Sequence, residues 1–159
     1  MSVQLVREYL AKFGKEGDVM EFAASSATVE LAAQVVGTTP ARIAKTLSFQ
    51  NGKGCLLVVM AGDARADNKK FKAQFGFKPR MLAHEEALRF TGHAVGGVCP
   101  FALPPNVPVY LDVSMRRFDI IYPAAGSDSS AVRMTNEELF TCARAIAWVD
   151  VCKDWKQAE

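Results

Sequence analysis

Lys45-Thr46-Leu47-Ser48-Phe49-Gln50-Asn51-Gly52-Lys53-Gly54-Cys55-Leu56-Leu57-Val58-Val59-Met60 is the stretch that decides the fold. Two apolar runs flank Asn51-Gly52, and Asn-Gly in that setting is the strongest short-range signal for a β-hairpin, because the tight turn needs positive φ. The second run is apolar on both faces, which predicts a central strand covered by helices. With strand periodicity, Lys45 shares a face with Leu47 and Phe49. A cation on an apolar face must reach solvent, a partner or a ligand phosphate. Snorkelling to solvent from the strand end is the plain alternative to a ligand role.

Outward from the hairpin, periodicity places helices on both sides. Leu5, Val6, Tyr9, Leu10 and Phe13 recur at helical spacing before Gly14. Asp18 to Ala23 reads as extended. Thr28 caps a second helix through Val36 that stops at Gly37, and Thr39-Pro40 opens a short helix through Ala44. Asp67 to Phe75 is helical with Phe71 and Phe75 turned inward and Gly76 ending it; His84 to Phe90 is another, its apolar residues being Ala87, Leu88 and Phe90. Val107 to Asp112, Phe118 to Tyr122 and Ala131 to Met134 read as strands. Thr135-Asn136-Glu137-Glu138 is a capping box for a helix running through Leu139, Phe140, Ala143 and Ile146. Helices are interspersed with strands and no linker or repeat appears, so residues 1–159 read as one mixed α/β domain.

The chain has 159 residues, of which 50% are hydrophobic and 23% charged, with 11 Gly and 7 Pro. That balance excludes disordered and collagen-like classes. No apolar run approaches the ~18–20 residues of a membrane helix, and the start shows no basic leader before an apolar block, so a cytoplasmic protein without membrane attachment is expected. Cys55, Cys99, Cys142 and Cys152 form no CxxC pair and His84 and His93 complete no ligand spacing, so the cysteines read as free thiols and neither metal nor cofactor is expected. Net charge is +2, unevenly spread: residues 1–80 hold 12 Lys/Arg against 7 Asp/Glu. The surplus centres on Arg65, Lys69, Lys70, Lys72, Lys78 and Arg80. Such a patch is either a solvated helix face or a surface for phosphates.

A second unusual stretch is Gly92-His93-Ala94-Val95-Gly96-Gly97-Val98-Cys99-Pro100-Phe101. Gly96-Gly97 permits positive φ and close approach by another molecule, while Pro100 stiffens the loop and biases Cys99 towards an extended backbone. Free amides at Gly97, Val98 and Cys99 would suit an anion or a developing oxyanion; an ordinary structural turn is the other reading. His93 and Cys99 also raise a Cys–His nucleophile, which requires the two to meet in space.

In order along the chain, Ile43-Ala44-Lys45-Thr46-Leu47, Asp67-Asn68-Lys69-Lys70-Phe71, the Gly-Gly-x-x-Pro-Phe loop at Gly96 to Phe101, Leu111-Asp112-Val113-Ser114 and Ala124-Ala125-Gly126 resemble the YbaK / prolyl-tRNA synthetase-associated editing domain family. The resemblance implies a mixed, partly barrel-like β-sheet flanked by helices. It also implies hydrolysis of the ester joining a wrong amino acid to the 3′-terminal adenosine of tRNA, in trans. A proline pocket excludes smaller residues poorly, since one methylene is worth only ~1–3 kcal/mol, so a second, smaller pocket is needed. By resemblance, Lys45, Gly96, Gly97, Val98, Cys99 and Pro100 form the catalytic set, with Lys45 anchoring phosphate or the terminal adenosine and the loop amides holding the oxyanion. His93, Phe101, Asp112, Ala124, Gly126 and Ser127 would bind substrate, and Lys69, Lys70 and Lys72 would guide the acceptor stem. Water is the implied attacker, and aminoacyl-tRNA, with an aminoacyl-tRNA synthetase beside it, the implied partner. Cys99 and Ala124 stand where members often carry Ser, and Ser127-Asp128-Ser129 where many have a basic, Gly-containing turn; the edited amino acid stays open among Cys, Ala, Ser and Thr. The alternative is a non-catalytic module that binds aminoacyl-tRNA or an amino acid.

Overall fold

The computed structural model describes residues 3–23, 28–93 and 98–155. In chain order the elements are α1 (Val3–Ala11), β1 (Val19–Glu21), α2 (Val29–Val36), β2 (Ile43–Asn51), β3 (Gly54–Ala61), β4 (Arg65–Ala66), α3 (Asn68–Phe75) and α4 (His84–Thr91). There follow β5 (Val109–Asp112), β6 (Ile120–Pro123), β7 (Ser130–Val132), β8 (Met134–Thr135), α5 (Asn136–Cys142), β9 (Ala147–Val149) and β10 (Cys152–Lys153). Six strands form one sheet in the order β8-β6-β2-β3-β5-β9, curled into a half-barrel, and β1–β7 and β10–β4 are two-stranded additions.

The hairpin is the centre of this sheet. β2 and β3 run antiparallel from Ala44↔Ala61 to Asn51↔Gly54, and Gly52 takes φ 59° at the turn. β3 lies between β2 and β5, and every residue from Cys55 to Ala61 is buried, as a strand apolar on both faces requires. On one side α3 inserts Phe71, fully buried, against Phe49 (ring centroids 4.9 Å apart) and Phe75 (4.6 Å). Full burial of one such ring stabilises by about 1.5–3 kcal/mol. The Asp67 carboxylate starts α3 by accepting from the Lys69 and Lys70 amides, and Gly76 ends it at φ 86°.

Several expectations are corrected. The helix expected from Pro40 through Ala44 is a single 3-10 turn, Pro40–Arg42, and the Thr39 side chain caps nothing. Ile43 and Ala44 instead enter β2, where they pair with Tyr122 and Pro123 of β6. Leu88 is 50% exposed; Ala87, one residue earlier, carries the burial of α4. Ala131 to Met134 splits into β7, which pairs with β1, and β8, which pairs with β6. The last helix stops at Cys142 rather than Ile146, because Arg144 adopts φ 51° and the Ile146 amide donates to Val109 O, turning the chain into β9. The capping box itself is present: Glu138 N–H donates to Thr135 Oγ1 and Thr135 N–H to the Glu138 carboxylate.

Asp112, a candidate substrate-binding residue, also holds the fold together. It is fully buried, with one carboxylate oxygen accepting from Ser114 N (2.9 Å) and the other from Val151 N (2.9 Å). Charge-assisted bonds of this kind stabilise by about 1.5–3 kcal/mol each, and here they tie the end of β5 to the segment leading into β10.

Candidate functional site

A cleft of about 380 Å³ opens along β2. One wall comes from α2, whose Val29 and Ala32 face it, with the cap residue Thr28. The sequence forms that helix locally: Thr28 Oγ1 accepts from Leu31 N and Gly37 closes it in the left-handed region. Gly62, just past β3, lets this wall approach, since a Cβ there would collide with the Pro40 carbonyl and a Val29 methyl. Val98, Ala124 and Ser127 also line the cleft.

Lys45 projects from β2 into this cleft. It is half-buried, and its Nζ donates to the Gly62 carbonyl at 3.4 Å. That carbonyl precedes Asp63, which Arg117 grips through two contacts of 2.6 and 2.9 Å. Burial holds the Lys45 ammonium below the ordinary lysine range; Arg65 adds to the effect, and Asp63 and Glu30 oppose it. A cation so placed gains from an anion arriving in the cleft. The far wall is set by hydroxyls. Ser130, 3% exposed, accepts from the amides of Ala125 and Ser127, and Ser127 Oγ donates to Ser130 Oγ, fixing the turn after β6.

Among the sequence-predicted residues, the cleft therefore gathers Lys45, Val98, Ala124 and Ser127. Gly96 and Gly97 lie outside the described residues. Pro100 lines a different cavity, about 490 Å³, with Tyr9 and Arg144. Gly126 is buried at φ 100°, inside the turn. Lys69, Lys70 and Lys72 are all exposed on α3, and Lys70 also bonds Asp150 (3.1 Å) and the Cys152 carbonyl (3.0 Å). Thr46, Ser130, Tyr122, Leu82 and His84 also line the cleft and were not expected there; their convergence depends on strand register that no local pattern carries.

His93 and Cys99 do meet: Cys99 Sγ lies 3.5 Å from His93 Nε2. The pair is not a nucleophile and its base. His93 Nε2 is 2.9 Å from Phe101 O, and a carbonyl only accepts, so this nitrogen carries its proton and cannot take one from sulfur. Both residues and Phe101 are fully buried. Burial pushes the Cys99 thiol up to about 12, with backbone hydrogen bonds at Phe101 and Gly126 opposing, and burial pushes His93 below its usual value. The expected outcome is that native protein resists iodoacetamide at pH 8 while denatured protein takes up label at all four cysteines, since each is buried. Rapid native labelling of Cys99, read by mass spectrometry, would contradict this.

Among the described residues, no group of three or more His, Cys, Asp or Glu comes together to hold a metal, and no helix is long and apolar enough to cross a membrane.

Fold and cleft together define a small mixed α/β protein with one half-buried lysine in a pocket on the scale of an amino acid or a nucleoside. Residues 23–142 match the aminoacyl-tRNA editing domain, and the chain belongs to that family. It is 50% identical to YwhH of Bacillus subtilis, a protein of uncharacterized function, over 157 residues, which are 98% of this chain and 100% of that one. It is 29% identical over 116 residues to the "Putative Cys-tRNA(Pro)/Cys-tRNA(Cys) deacylase EbsC" of Enterococcus faecalis, covering 72% of this chain and 71% of that one. Among solved structures, "a putative trans-editing enzyme for prolyl tRNA synthetase" superposes with TM-score 0.86 at 31% identity, covering 96% of this chain and 99% of the other.

Proposed function

We propose that the protein is a trans-acting aminoacyl-tRNA deacylase that removes a wrongly attached amino acid from tRNA, of the kind that arises when prolyl-tRNA synthetase accepts a smaller residue. The observation that carries this reading is Lys45, half-buried in a cleft that Val98 also lines. In this scheme Lys45 anchors the phosphate or ribose of the terminal adenosine. Loop amides from Gly97 to Cys99 donate to the carbonyl oxygen of the ester as negative charge grows on it when water adds to the carbonyl carbon. The carbon–oxygen bond to ribose then breaks, the ribose oxygen takes up the proton, and free amino acid and tRNA leave. One such amide is worth about 3–4 kcal/mol in the transition state. The exposed Lys69 and Lys72 steer the acceptor stem. Ala124 and Ser127 bound the space that receives the amino-acid side chain.

The test is a panel of tRNA charged with Ala, Cys, Ser or Thr, incubated with the full chain. At least one is expected to be discharged well above its spontaneous rate while Pro-tRNA survives. Survival of every member would leave a binding module instead.

A further inference from the structure

Part of the cleft wall is a strand edge to which no described residue pairs. In an antiparallel pair, alternate residues turn both N–H and C=O towards the partner, and those between turn them away. Gln50 N–H donates to Arg80 O (2.8 Å) and Ser48 O accepts from Leu82 N (3.1 Å), so the even-numbered residues of β2 face away from β3. On that outer edge the parallel ladder to β6 ends at Ala44↔Pro123. Between the two attachments, Thr46 N–H, Thr46 C=O and Ser48 N–H are paired with no described residue. The residues bounding the gap, Tyr122 and Ala124 at one end and Met81 and Leu82 at the other, line the cleft too, so the gap in the sheet is the cleft's opening.

Backbone donors and acceptors in a partly enclosed site call for partners. Here they run donor, acceptor, donor along a slot whose sides include Leu47, Leu82 and Val98. An α-ammonium offers only donors and an ester only acceptors. A flat heteroaromatic ring with a donor next to an acceptor fits both the hydrogen-bond sequence and the apolar sides. On charged tRNA that ring is the 3′-terminal adenine: its N6 amine donates and its N1 accepts.

We infer that the open β2 edge at Thr46 and Ser48 reads the terminal adenine, N6 donating to Thr46 O and N1 accepting from a neighbouring N–H of the same edge. This deepens the deacylase reading and rests on it. The base is then held on the strand that carries Lys45, which sets the distance between base and cation by backbone geometry.

The experiment uses the wild-type full chain and a tRNA from the panel above, charged chemically and ending in adenosine, inosine or purine riboside. Inosine presents a carbonyl at C6 and a proton at N1, reversing both bonds; purine riboside only lacks the amine. Expected is a fall in kcat/KM of at least tenfold for inosine and a smaller one for purine riboside. Rates within twofold for all three would overturn base reading by this edge and leave deacylation standing. Failure to discharge even the adenosine form would overturn the deacylase reading itself, and this inference with it.

Discussion

Lys45→Met is expected to abolish most deacylation while making the protein more stable. The loss of activity follows from removing the cation that faces the cleft: a fall of about a hundredfold in kcat/KM corresponds to about 2.7 kcal/mol of transition-state binding. The gain in stability follows from burial. Because the folded protein lowers the Lys45 pKa below its ordinary 10.5, the unfolded chain holds that proton more tightly. Stability of the wild type therefore rises with pH through the interval between the two values, and the cost of the buried charge is largest below both. A thioether of similar length carries no such cost. Urea titrations should thus show the variant ahead of wild type at pH 7, with the advantage shrinking towards pH 10.5. Equal deacylation rates would remove Lys45 from the site, and a less stable variant would show that the Gly62 contact outweighs desolvation.

That trade between stability and function explains why Lys45 was visible in the sequence at all. A charge among Ile43, Leu47 and Phe49 breaks the pattern that serves the fold, and such breaks concentrate at sites. The hairpin was legible for the opposite reason: Asn51-Gly52 and the apolar runs beside it all favour the same answer, and the register Asn51↔Gly54 follows from the turn. The cap of α2 at Thr28, the start of α3 at Asp67 and the box at Thr135 were equally local.

What stayed hidden depends on long-range register. β9 looks like the continuation of α5 until Ile146 N–H finds Val109 O, a bond across 37 residues (146 against 109) that no periodicity announces. The second partner of Asp112, Val151 N, is equally remote in the chain. Ser130 carries no local signal of a role, yet its hydroxyl accepts from the Ala125 and Ser127 amides and shapes the cleft wall. Among the described residues, the edge at Thr46 goes unpaired because β6 departs from β2 where the Arg80–Leu82 segment has not yet arrived. Local chemistry showed where the lysine was; three-dimensional register decides what it faces.

His93→Leu is expected to cripple the proposed deacylation without touching the cleft. Its ring binds Phe101 O at 2.9 Å and its amide binds Thr91 Oγ1 at 3.0 Å, so one buried residue ties together the two ends of the segment that carries Val98. Leucine leaves the buried Phe101 carbonyl without a donor, at about 1–3 kcal/mol of stability, and frees the backbone on which the proposed oxyanion stabilisation depends; kcat should fall at least tenfold with KM little changed. His93→Gln, whose amide can donate to the same carbonyl, should recover most of kcat, which a loss of bulk alone would not predict. The same pair isolates a pH effect. Burial lowers the folded-state pKa of His93 below the usual 6.5, despite the Phe101 bond acting the other way. Its neutral ring therefore stabilises the fold above about pH 6.5, and that contribution is lost as pH falls from there towards the lowered value, at up to about 1.4 kcal/mol per pH unit. The adjacent Cys99 thiol stays protonated across this range and adds nothing to the slope. Urea midpoints of wild type should thus drop more steeply below pH 6.5 than those of His93→Gln. Parallel acid limbs would show that His93 ionises in the fold as it does in the open chain, and unrescued kcat in the glutamine variant would show that the Phe101 bond does not position the loop.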